Sequence, residues 1–124
     1  MRRVSVHIIL ATLALATAAH THAVLVSSVP KDRDVLATPP DKVILRFDSR
    51  IEKRVARVTL TRASRKIALP KPKNGYTAGA AGELVIPMPK LKPGSYRLEY
   101  RVLATDGHIT PGLIRFAVKG GKAP

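Results

Sequence analysis

The chain has 124 residues, 22 Lys+Arg against 8 Asp+Glu, and no cysteine. This length allows one domain, and the missing thiols exclude disulfides, thiolate zinc sites and cysteine nucleophiles. The formal net charge of +14 attracts anionic partners or is a solvated basic surface. With three Tyr, two Phe and no Trp there is little for bases to stack on, so specific nucleic-acid binding is not expected.

The first element is a leader. Met1-Arg2-Arg3 is a short cationic start, and "VSVHIILATLALA", residues 4–16, is a mostly apolar run followed by small residues. That three-part order is a secretory signal peptide, and the run is too short for a comfortable membrane span of ~20 residues. We expect the leader over residues 1–19, with the cut as late as residue 21. A cut after Ala18 or Ala19 fits best; a cut after Thr21 leaves His22 first. Losing Arg2 and Arg3 leaves 20 basic residues against 8 acidic, a charge of +12.

Short alternating segments then follow, broken by turn residues. "AVLVSSVP" reads as a strand, and "KDRDVLATPPD" as a loop with a short strand at most. "KVILRFDS" sets Val43, Leu45 and Phe47 on one face. "RVARVTLTR" sets Ala56, Val58 and Leu60 toward a core, and "RKIALP" is short. "KPKNGYTAGAAG" is a loop turning at Asn74-Gly75, and "ELVIPMP" a strand ended by proline. After Pro93-Gly94, Tyr96, Leu98, Tyr100 and Val102 alternate with Arg97, Glu99, Arg101 and Leu103. "TDGH" is a tight turn, and "ITPGLIRFAVKG" closes with Leu113 or Ile114, Phe116 and Val118 inward. About seven short strands without helical period predict an antiparallel β-sandwich of immunoglobulin size. The domain is expected over residues 20–119, with 120–124 a flexible tail.

Among residues able to carry chemistry, no nucleophile–base pair or phosphate-binding loop stands out. Histidine remains. His20 and His22 lie at the new terminus, and His108 follows Asp106-Gly107 in a turn. Glycine lets the backbone reverse so that carboxylate and imidazole can aim at one point. Imidazole, carboxylate and a terminal amine form a ligand set for tetragonal Cu(II). Alternatively, Asp-Gly is an ordinary turn and the histidines are merely exposed. Met88 is the one methionine besides Met1, so a soft Cu(I) site is poorly supplied.

The order of the leader, His22-Ala23-Val24-Leu25, "SSVP", the Pro-Pro-x-x-Val-x-Leu-x-Phe strand, "MPKLKPGSYRLEYRV", "TDGH" and "PGLIRFAVK" resembles the CopC domain of periplasmic copper-resistance proteins. The likeness runs from residue 22 to about 119. It implies an all-β, seven-stranded antiparallel Greek-key β-sandwich, cupredoxin-like or immunoglobulin-like. It also implies one Cu(II) per chain, with His22 as amino-terminal ligand, Asp106 as carboxylate and His108 as second imidazole. His20 becomes a ligand if the cut leaves it first, because an amine two residues before His22 can wrap the metal with backbone nitrogens. Two departures stand out. Phe47-Asp48-Ser49 replaces Phe-Ser-Glu, removing an outer acid, and the loop "ALPKPKNGYTAGAAGELVIP" lacks the methionines that hold Cu(I) in some members.

The expectation is therefore a periplasmic, non-enzymatic, monomeric Cu(II)-binding protein for copper resistance or homeostasis. It would sequester copper or deliver it to an inner-membrane transporter. Two alternatives are a metal-free basic β-sandwich that binds partners, and a copper monooxygenase with an amino-terminal histidine brace.

Overall fold

The structure is a computed structural model and describes residues 22–120. His20, the expected leader over residues 1–19 and residues 121–124 of the expected tail lie outside the described residues. Among the described residues, eight strands form two sheets. The smaller contains β1 (Leu25–Val29), β3 (Lys42–Phe47) and β6 (Glu83–Pro87) in the order β1-β3-β6. The larger contains β2 (Asp34–Leu36), β4 (Arg57–Arg62), β5 (Arg65–Ile67), β7 (Gly94–Leu103) and β8 (Ile109–Val118), in the order β2-β8-β7-β4-β5. A 3-10 turn, Lys53–Val55, precedes β4.

The expected all-β sandwich is present, with one strand more than the seven anticipated. The addition is β2, which the sequence allowed as a short strand at most because three residues are too few to show an alternation. It pairs parallel to β8, Val35 beside Ala117, while every other paired strand runs antiparallel.

The faces follow the predicted alternation, because side chains switch sides at each strand residue. Val43, Leu45, Leu60, Leu84, Ile86, Leu98 and Val102 are fully buried between the sheets. In β8 the inward residue is Ile114, one of the two offered by the sequence, with Phe116 and Val118 beyond it. Tyr96 stacks on Phe116 with ring centroids 5.4 Å apart. Its hydroxyl donates to the Lys92 carbonyl, so the apolar ring is buried and the polar tip is satisfied. Phe47 meets Tyr100 edge to face at 5.6 Å. Gly112 sits under the Tyr100 ring, where an added Cβ would lie 2.1 Å from ring atoms.

The β7–β8 hairpin is the longest pairing, with ten residues on each strand. Its turn, Thr105 to His108, projects from one end of the larger sheet.

Candidate metal centre

The turn places Asp106 and His108. Gly107 has φ +90° with open space around its Cβ position, so glycine is needed there for backbone freedom and not for room. The Gly107 N–H donates to the Ala104 carbonyl at 3.0 Å, and the Ala104 N–H to the His108 carbonyl at 2.9 Å. The His108 N–H donates to Asp106 Oδ1 at 2.9 Å, a side-chain turn of the kind Asp favours. That bond fixes the carboxylate and leaves Oδ2 for something else.

Oδ2 points at the imidazoles. It lies 3.3 Å from His108 Nδ1 and 4.0 Å from His22 Nδ1. It is shielded from solvent and accepts no hydrogen bond of normal geometry. The Asp106 side chain is 15% exposed, against 56% for His22 and 51% for His108. The backbone N–H of His108, first of all, holds the Asp106 carboxyl below the ordinary carboxylate range, and burial opposes it. Asp106 is therefore an anion at neutral pH. The imidazoles of His22 and His108 stand edge to face, centroids 5.0 Å apart.

His22 arrives from the other end of the sequence. Ala23 is fully buried, anchoring the segment by its methyl group. Asp48, just after β3, grips the next residue twice. The Val24 N–H donates to Asp48 Oδ1 at 2.8 Å, and the Asp48 N–H to the Val24 carbonyl at 2.9 Å. Sequence reasoning saw in Asp48 only a missing outer acid. Its pairing spans 24 positions, and no local pattern carries such a signal.

All three predicted residues are thus brought together. One potential ligand atom from each of His22, Asp106 and His108 falls within 4.8 Å of the others. Donors bound to one ion at about 2.0–2.2 Å stand roughly 3–4 Å apart, so these residues can close on a single ion with small movements. The shielded Oδ2, with only long contacts to the two imidazoles, fits that purpose, because a shielded carboxylate oxygen is costly unless well paired.

His20, the remaining candidate, lies outside the described residues. Met88 is 9% exposed and belongs to the core. In the loop between β5 and β6, Tyr76 is buried. The Lys53 ammonium donates to the carbonyls of Ala78 and Gly79 at 2.8 and 3.0 Å. Burial lowers the Lys53 pKa. This lysine clamp holds the loop that offers no metal ligands, and the sequence analysis did not single it out.

Residues 25–119 match the model of the family described as the CopC domain. Protein YobA of Escherichia coli K12 is 28% identical over 114 residues, 90% of each chain. Among solved structures, CopC from Methylosinus trichosporium OB3b superposes with a TM-score of 0.70. It is 27% identical, and the match covers 83% of this chain and 99% of that one. PcoC, a methionine-rich copper resistance protein from Escherichia coli, gives a TM-score of 0.67 at 28% identity. Here the match covers 80% of this chain and all of that one.

Proposed function

This chain belongs to the CopC domain family, and we propose that it is a copper-resistance protein holding one Cu(II) ion through His22, Asp106 and His108. The observation that carries the assignment is the convergence of two imidazoles on the shielded Oδ2 of Asp106. Nitrogen and carboxylate donors without sulfur suit Cu(II), which also heads the affinity order of divalent first-row metals. The similar PcoC is methionine-rich; this chain has Met1 and the buried Met88 alone, so the reading does not extend to Cu(I).

The cationic, apolar leader supports export, so the working location is the periplasm and the working form a monomer. Removal of the leader frees an amine close to His22 as a further donor, from His22 itself or, with His20 first, through the backbone. The bound ion is cargo: the protein sequesters it or passes it to a copper transporter in the inner membrane. The function is binding and not catalysis, and oxygen uptake with a reductant and a polysaccharide should stay at background.

The test is titration of the exported, processed protein with Cu(II), followed by paramagnetic resonance. One equivalent binds in a tetragonal N/O environment. Asp106→Ala and His108→Ala each weaken binding at least tenfold. Unchanged affinity in both variants would sink the ligand assignment.

A further inference from the structure

The metal centre makes no use of the basic charge, and the structure shows where much of that charge lies. Strand alternation puts Arg57, Lys66, Arg97, Arg101 and Arg115 on the outer face of the larger sheet, with Glu99 as the one acidic residue among them. Arg57 stands directly opposite Arg101, and Arg97 directly opposite Arg115. Like charges in directly opposed positions destabilise a sheet, so the fold does not explain either pair. Arg97 approaches Glu99 at 3.7 Å, and Arg115 approaches Asp32 at 3.4 Å. Arg57 and Arg101 have no ion pair among the described residues. Arg115 Nε is shielded from solvent and unpartnered.

The same face carries exposed apolar side chains. Val35 is 59% and Ile109 62% exposed, and partly exposed Leu113 lies between the arginine rows. Ile109 directly follows His108, so the metal centre stands at the rim of this face.

We propose that the outer face of the larger sheet is a docking surface for a bilayer containing anionic phospholipid. Guanidinium groups match phosphate oxygens in fork geometry, and apolar residues among basic ones enter the headgroup region. A broad sheet face presents these groups to a plane, where a phosphate layer matches them in sign across the whole width. Docked in this way, the protein holds His22, Asp106 and His108 at the membrane surface. The surface needs no metal and stands whether or not copper is bound.

The experiment uses metal-free, exported and processed protein, sedimented with vesicles of phosphatidylcholine alone or mixed with phosphatidylglycerol. The wild type partitions onto the mixed vesicles, not the neutral ones, and is released as salt rises. Each basic residue at an anionic surface contributes roughly a fivefold factor. Arg57→Gln/Arg101→Gln therefore lowers partition roughly 25-fold. The matched pair Lys42→Gln/Arg46→Gln, on the outer face of the smaller sheet, has little effect. Arg57→Glu converts a like pair into an opposite one, so it folds at least as stably and still partitions less. Three results overturn the proposal: no preference for anionic vesicles, equal losses from the two double variants, or unaltered partition of Arg57→Glu. The last two would leave the charge as a diffuse property or as the footing for an acidic protein.

Discussion

Asp106 divides its two oxygens between the turn and the proposed metal site. Oδ1 accepts the His108 N–H and sets the turn, while Oδ2 faces the histidines. Asp106→Asn can keep the turn bond while losing the charge. It should fold normally by circular dichroism yet bind Cu(II) at least tenfold more weakly in the same titration. Asp32 shows a purely structural use of the same side chain. The backbone N–H of Arg115 donates to its Oδ1 at 2.7 Å and, ahead of the guanidinium contact, lowers its pKa. A carboxyl with a lowered folded pKa contributes stability above its unfolded pKa of about 3.9 and loses it as pH falls through the folded value. The urea midpoint of Asp32→Asn should therefore lie below wild type at neutral pH. That gap should close as the pH is taken below the carboxylate range.

The strands carry two lessons. Gly112 lies where the Tyr100 ring leaves no space for a methyl group. Gly112→Ala should cost about 1–3 kcal/mol, the usual range for overpacking, read as a lower midpoint in urea. Alternation alone assigned the faces of β3, β4 and β7, because a buried strand repeats every two residues. It also named Ile114 as one of two options for β8. β2 could be offered only as a short strand at most, because three residues hold no period and its parallel partner lies some eighty positions away. Likewise the histidines, Asp106 and its turn were legible as chemistry and through family resemblance, whereas the parts holding His22 were not. Ala23 burial and the double bond between Asp48 and Val24 are tertiary facts. Asp48→Ala should leave the sandwich intact and loosen only the amino-terminal segment. We expect Cu(II) affinity to fall about 10–100-fold, the range for outer supports of metal ligands, with little change in urea midpoint.

For the whole molecule, a ligand that binds only the folded state stabilises it by mass action. At a hundredfold excess over Kd the gain is about 2.7 kcal/mol. For a domain near 100 residues that is an increase in Tm of roughly 10 °C or more. Chelator treatment should reverse the shift, and His108→Ala should abolish it, both read by calorimetry. The proposed metal centre also has an architectural consequence. His22 and Asp106 are 84 positions apart in the chain, at the amino-terminal segment and the last hairpin. An ion shared by them is a removable crosslink that closes nearly the whole domain into a ring, limiting the excursions of its free end much as a disulfide would. Trimming by an aminopeptidase should then slow as copper loads, so the rate of end-digestion becomes a gauge of how full the protein is.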